Sequence, residues 1–140
     1  MTATQQGIVT EMRDGELIPI PLKAKAIVLI GTFAMVDDTG FAIDSSTAVA
    51  DTQQVIGVWD NSADNTDGED GDIVACARRN KQFLFRNSAL DAVTQADFGA
   101  VVYVEDNQTI AKTAGENGLP IAGTFMGFDT QFTDCVWVEI

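Results

Sequence analysis

The chain predicts a mainly β fold: a small β-barrel or sandwich built from two similar three-strand units, with an extended N-terminal arm. One reason is alternation, since apolar and polar residues exchange with period two through most of the chain. Another is the absence of any stretch with helical periodicity over three turns. The third is an internal repeat. Gly31 opens a short apolar run, an acidic turn and a return run ending at Ile43, and Gly99 opens the same phrase ending at Ala111. Each phrase leads to a second glycine-bearing run, around Gly57 and Gly123, and then to a last apolar run containing Cys76 or Cys135. A three-strand unit cannot bury its apolar face alone, so two copies, 31–78 and 99–140, are expected to close on each other into one core.

The elements follow in order. Residues 1–22 form an arm distinct from the single β-rich domain at 23–140. Residues 7–12 read as one strand and Asp14-Gly15 as a turn. Residues 17–21 alternate, but Pro19 and Pro21 cannot donate to a ladder, which places them in an edge or extended segment. Phe33 and Met35 alternate with Ala34 and Val36, residues 37–40 turn, and 41–43 return. A polar connection occupies 44–51, and 54–60 is a strand interrupted by Gly57. Residues 72–78 and 81–87 read as a hairpin around Arg79-Asn80, with Phe83 and Phe85 on one face and Leu84 on the other. Thr94 to Asp97 is the one helical turn, with Thr94 as N-cap. Strands at 100–105, 109–112, 120–128 and 135–140 complete the second unit. Six or more adhesive strands need their edges covered, and oligomerisation is a common means.

Composition narrows the function. A chain of 140 residues fits one domain. The longest apolar run, 26–30, is far short of the roughly 20 residues that span a bilayer, and no basic region precedes an apolar stretch at the N-terminus. A soluble, unexported protein is expected. Eight basic residues against 21 acidic ones give a net charge of −13, a field that repels nucleic acid and anionic lipid, so neither is an expected partner. The same charge suits plain solubility as well as a preference for basic surfaces. Cys76 and Cys135 lie in corresponding runs, where buried thiols and a disulfide both fit, the thiols being favoured.

The sequence offers little for catalysis. It contains no histidine, which removes the commonest general base, the commonest zinc ligand and every Ser-His triad. It has no phosphate-binding glycine loop and no nucleophile elbow. Most acids stand at turns, where solvated roles outweigh a glycosidase-like pair. No enzyme activity and no cofactor are expected. Asp64, Asp67, Glu69, Asp70 and Asp72 are weak calcium candidates, because oxygen-rich loops with glycines bind calcium; a mobile acidic loop is the plainer reading. Arg78, Arg79, Lys81 and Arg86 fall within nine positions, giving a local positive spot that meets a partner or pairs with nearby aspartates. Trp59, Phe83, Phe85, Phe125, Phe128 and Trp137 favour burial over a stacking platform.

Three stretches carry a resemblance: VIGVWDNSADNTDGEDGDIVACARRNKQFLFRNS (55–88), VTQADFGAVVYVEDNQTIAKT (93–113) and LPIAGTFMGFDTQFTDCVWVEI (119–140). Together they resemble a group of small tailed-phage structural proteins described as capsid cement or head decoration proteins. The resemblance covers the last 85 or so residues in detail. It implies a β-rich, non-enzymatic protein on the outer surface of a phage capsid, made in the host cytoplasm. It also implies binding at three-fold or quasi-three-fold positions, where such a protein clamps neighbouring major capsid protein subunits; a homotrimer is the expected state. The longer N-terminal segment and the acidic 60–72 loop depart from the looser family pattern.

Capsid or intersubunit contact is therefore expected from Ile8, Val9, Leu17, Ile18, Pro19, Ile20 and Pro21 of the arm and from Arg78, Arg79, Lys81 and Arg86. Removal of residues 1–20 is expected to leave a folded body that no longer binds heads. The alternative is a non-enzymatic ligand- or calcium-binding β module of a phage tail or cell surface, carried by the acidic loop.

Overall fold

A computed structural model of the chain describes residues 3–46 and 51–140. The protein is mainly β; the described residues form twelve strands and one 3-10 turn at Gln95–Asp97. The strands are β1 (Leu17–Pro21), β2 (Ile27–Val28), β3 (Phe33–Val36), β4 (Ala42–Ile43), β5 (Gln54–Trp59), β6 (Ala63–Asp64), β7 (Val74–Arg78), β8 (Gln82–Asn87), β9 (Val101–Asp106), β10 (Thr109–Ala111), β11 (Ile121–Phe128) and β12 (Cys135–Glu139).

The repeat is deeper than three strands. The first sheet runs β1-β7-β5-β3-β4, and the closed barrel contains the same order, β8-β12-β11-β9-β10. The registers coincide residue by residue. Ala34 pairs with Gly57 as Val102 pairs with Gly123, and both pairs are followed by a bulge. Trp59 pairs with Ala77 as Phe125 pairs with Val138. Ile20 pairs with Ala75 as Phe85 pairs with Val136. Each unit thus begins with a lead strand, β1 or β8, so the repeats span 17–78 and 82–139. Residues 17–21 belong to the first sheet rather than to the arm, and Ile20 and Leu22 are buried.

The glycines of the repeat have physical causes. Gly31 and Gly99 open their units at φ +84° and +86°, a left-handed conformation that disfavours a side chain. Gly57 and Gly123 have ordinary φ but no space: a Cβ would stand 2.4 Å from the Arg78 carbonyl oxygen in one unit and 2.3 Å from the Glu139 carbonyl oxygen in the other. The bulged strand and the last strand of each unit meet backbone against backbone there.

Core composition differs between the units in a compensating way. In the first, Trp59 is surrounded by Ala34, Ala42, Ala75 and Ala77; in the second, the equivalent positions hold Phe125 among Val102, Ile110, Val136 and Val138. A larger ring with smaller neighbours fills the interior that a smaller ring with larger neighbours fills in the other copy. Closure differs too. The parallel β8–β10 pair seals the second barrel, and the Arg86 N–H donates to the Gln108 carbonyl at 2.9 Å. Pro21 stands at the equivalent place and has no N–H to give. Among the described residues, the backbone of the first sheet is joined across its ends by the parallel bridge Leu22–Ala42 and by the Lys23 N–H donating to the Ala42 carbonyl.

Three expectations change. Residues 72–78 and 81–87 do not form a hairpin: β7 pairs with β1 and β5, and β8 with β12 and β10. Residues 79–81 are the crossover between units, with Asn80 at φ 61° and its N–H donating to the Ile140 carbonyl at 2.7 Å. Residues 7–12 form no strand and pair with none of the described strands. The core is two apolar clusters rather than one, although Phe33, Met35 and Val58 of the first unit join the second unit's cluster. Phe33 stacks on Phe85, ring centroids 3.9 Å apart and 16° from parallel. The two cysteines are free thiols, both half-buried. Part of the 44–51 connection lies outside the described residues.

Gly123→Ala is expected to destabilise the protein by about 3 kcal/mol, the upper end of overpacking effects. Gly7→Ala, in open space, should stay within about 0.5 kcal/mol of the parent. Urea unfolding of both variants checks the claim; equal midpoints would contradict the close approach.

Candidate functional site

The residues named from the sequence fall in three places. The first is the N-terminal segment. Ile8, Val9 and Met12 are 71%, 92% and 93% exposed, and residues 7–14 have no regular structure. The segment is held at its root. The Arg79 N–H donates to the Glu16 carbonyl at 2.8 Å, the Arg79 Nε to the Gly15 carbonyl at 2.8 Å, and Lys81 pairs with Glu16 at 3.3 Å. Beyond that root, Leu17 and Pro19 are exposed, Ile18 and Pro21 half-buried, and Ile20 buried.

The second place is the basic group, which the fold divides. Arg79 and Lys81 anchor the root of the arm, and Arg78 pairs with Asp60 at 3.2 Å. These three side chains are engaged within the chain. Arg86 lies on β8, is exposed, and makes no ion pair among the described residues.

The third place is the acidic loop between β5 and β7. It folds over the first unit by pairing β6 with β2. Its anchor is a residue the sequence did not single out, Asn65, which is 1% exposed. The Asn65 Nδ2 donates to the carbonyls of Lys23 at 3.0 Å and Glu69 at 2.9 Å, with a longer contact to Leu22 at 3.4 Å. Gly68 is required beside it, because a Cβ there would meet the Asn65 Oδ1 at 2.0 Å. Three of the calcium candidates accept hydrogen bonds that hold the loop. Asp64 accepts from the Thr66 hydroxyl and N–H, and these bonds hold its carboxyl below the usual range. Asp72 accepts from the Glu69 N–H, and Asp70 from the Ala24 N–H. Asp67 and Glu69 do not join them: among the described residues, no three Asp, Glu or Cys side chains come together to hold a metal ion.

Two further carboxylates are tuned by their surroundings. Burial works against charge on Asp37, but the hydrogen bonds from Lys23 and Thr39 prevail, and its carboxyl titrates below the usual range. Asp97 is held low chiefly by the Thr94 N–H, 2.7 Å away, with Lys112 also near. The Cys135 thiol is pushed up, first by burial and then by Asp134.

The concavities are shallow. One of about 450 Å³ lies over the acidic loop, and one of about 510 Å³ lies between β5 and β11, beside Val55, Ile121 and Ile140. Of the six aromatic side chains, Trp59, Phe85 and Phe125 are buried, Phe83 and Trp137 half-buried, and Phe128 exposed. The β9–β11 wall was also missed. Phe98, Val101, Ile121 and Phe128 are exposed there, within runs 98–104 and 118–128 that carry no charge. That absence of charge was the available signal. No helix among the described residues is long and apolar enough to cross a membrane. Comparison with protein-family models, curated proteins and solved structures finds no match.

Asn65→Ala is expected to cost about 1–3 kcal/mol, since buried carbonyls lose their donor, and to speed amide exchange across 60–73. Unchanged exchange would contradict the anchoring role. The pH dependence of Asp37 has a definite sign. Its folded pKa lies below the reference 3.8, so its contribution is complete above that value and is lost as pH falls through the folded pKa. Thermal melts from pH 5 to 2 should fall less steeply for Asp37→Asn; identical slopes would remove Asp37 from the acid limb.

Proposed function

We propose that this chain is a non-enzymatic structural protein of a tailed-phage head, a decoration or cement protein on the outer surface of the capsid. In this reading it binds the major capsid protein, associates with itself as a trimer, and strengthens contacts between neighbouring shell subunits. The resemblance of 55–88, 93–113 and 119–140 to such proteins supports it. These stretches supply most of β5 with β6, β7 and β8, then β9 and β10, then β11 and β12.

The observation that carries the reading is the arm. A rigid doubled β body holds a segment whose apolar residues Ile8, Val9 and Met12 lie open to solvent. An extended chain covers roughly 3.3 Å per residue, so residues 3–16 reach about 45 Å, against a radius of gyration of about 14 Å for a body this size. Such a segment suits a staple that orders along a neighbour, gaining apolar burial and backbone pairing. Contacts of this kind are individually modest and gain strength by repetition over a shell. With Arg78, Arg79 and Lys81 engaged, Arg86 is the one of these four basic residues that makes no ion pair among the described residues.

The test is co-sedimentation with heads stripped of the protein. Because β1 belongs to the first sheet, deletion of 1–20 would remove a structural strand, and the informative truncation stops at residue 14. Lacking 2–14, the protein is expected to melt within a few degrees of the full chain and to lose most head binding. Full retention of binding would refute the arm's role.

A further inference from the structure

We propose that the outer wall formed by β9 and β11 is a self-association surface, and that its occupant is a second copy of this chain. The pseudo-repeat carries the inference. In the first unit, the outer face of β3 and β5 presents Phe33, Met35, Val55 and Val58, and this face packs against the apolar cluster of the second unit. Register places Val101, Tyr103, Ile121 and Thr124 at the same four positions on β9 and β11. The face that joins unit to unit inside the chain is thus present again on the second unit. There it has no third unit against it: Val101 is 45% and Ile121 57% exposed, with Tyr103 and Thr124 half-buried.

Charge points to the same partner. Two copies at −13 each repel one another, and a stable contact between them must avoid stacking carboxylates. Runs 98–104 and 118–128 contain no charged residue, and exposed Phe98 and Phe128 widen the apolar area at one end of the wall. The Phe98 ring packs over Gly127, where a Cβ would stand 3.3 Å from it. Asp97, Glu105 and Asp129 mark the ends of the wall, and Asp51 of the first unit stands at its edge, against Gly118 and beside Ile121. An apolar centre with a polar rim is the ordinary anatomy of a protein interface. A contact that repeats the internal one joins different faces of the two copies, so it is heterologous and closes into a ring when the rotation permits. The inference deepens the shell-protein reading by placing its self-contact, and rests on that reading only for its setting on a head.

Sedimentation velocity of the full chain without heads, from about 5 to 100 μM, tests it. The parent is expected to sediment as an oligomer that dissociates on dilution. Val101→Asp and Ile121→Asp should each weaken association by about tenfold or more while melting within a few degrees of the parent. Leu90→Asp, an exposed apolar residue elsewhere, should associate as the parent does. A parent that stays monomeric at 100 μM, or wall variants that associate like it, would overturn the proposal without touching head binding. A monomeric parent whose Val101→Asp form loses head binding would assign the wall to the shell protein instead, overturning the second copy as occupant while supporting the head-protein reading.

Discussion

The fold depends on a backbone-to-backbone contact made twice. At Gly57 and at Gly123 a strand passes so close to a carbonyl oxygen of the unit's last strand that no Cβ fits between them. The bulge beside each glycine bends the strand and turns its buried aromatic, Trp59 or Phe125, into the interior. From that point the register of the third strand, the position of the lead strand and the curvature of the sheet all follow. The conformation shared by Gly31 and Gly99 sets where each unit begins. Two glycines per unit, for separate reasons, therefore specify most of a repeated architecture whose other side chains have diverged.

Divergence around that frame makes the two halves unequal partners. The second unit closes through a parallel pair to which Arg86 contributes its N–H; the first carries Pro21 at that place and stays open along the seam. The first unit instead supports the insertion that Asn65 ties down over its lead strand. Unit joins unit through Phe33 on Phe85, an offset ring stack between two buried side chains. Most of the acids, Asp37 and Asp97 among them, lie in loops and turns, and those in strands stand at strand ends. The basic side chains near the crossover fasten the root of the arm, so the arm leaves the body at a fixed point.

Alternation and glycine spacing made the strands and the repeat legible in the sequence, because both are local consequences of backbone geometry. The lead strands were not recognised as part of the repeat. Leu17-Ile-Pro-Ile-Pro and Gln82-Phe-Leu-Phe-Arg share almost no residues, and their equivalence lies in the pairing partners, which are distant in sequence. The hairpin expected at 79–80 failed for a similar reason: two adjacent alternating runs suggest pairing, yet each found stronger partners in its own unit. Asn65 gave no signal among neighbouring polar residues, since only burial distinguishes it. The arm's lack of a partner was visible in part, through the polar, aperiodic run at its start.

The proposed capsid role rests on a doubled β body, an exposed arm bearing Ile8, Val9 and Met12, and a wall whose strands β9 and β11 are poor in charge. At its centre is the proposal that the protein resides on a phage head. Quantitative mass spectrometry of purified particles, comparing this chain with the most abundant shell protein, tests that claim most directly. A shell-wide decoration protein would be present at copy numbers of the same order as the shell protein. A handful of copies per particle, or none, would contradict the proposal and assign the protein to a tail or to a free binding role.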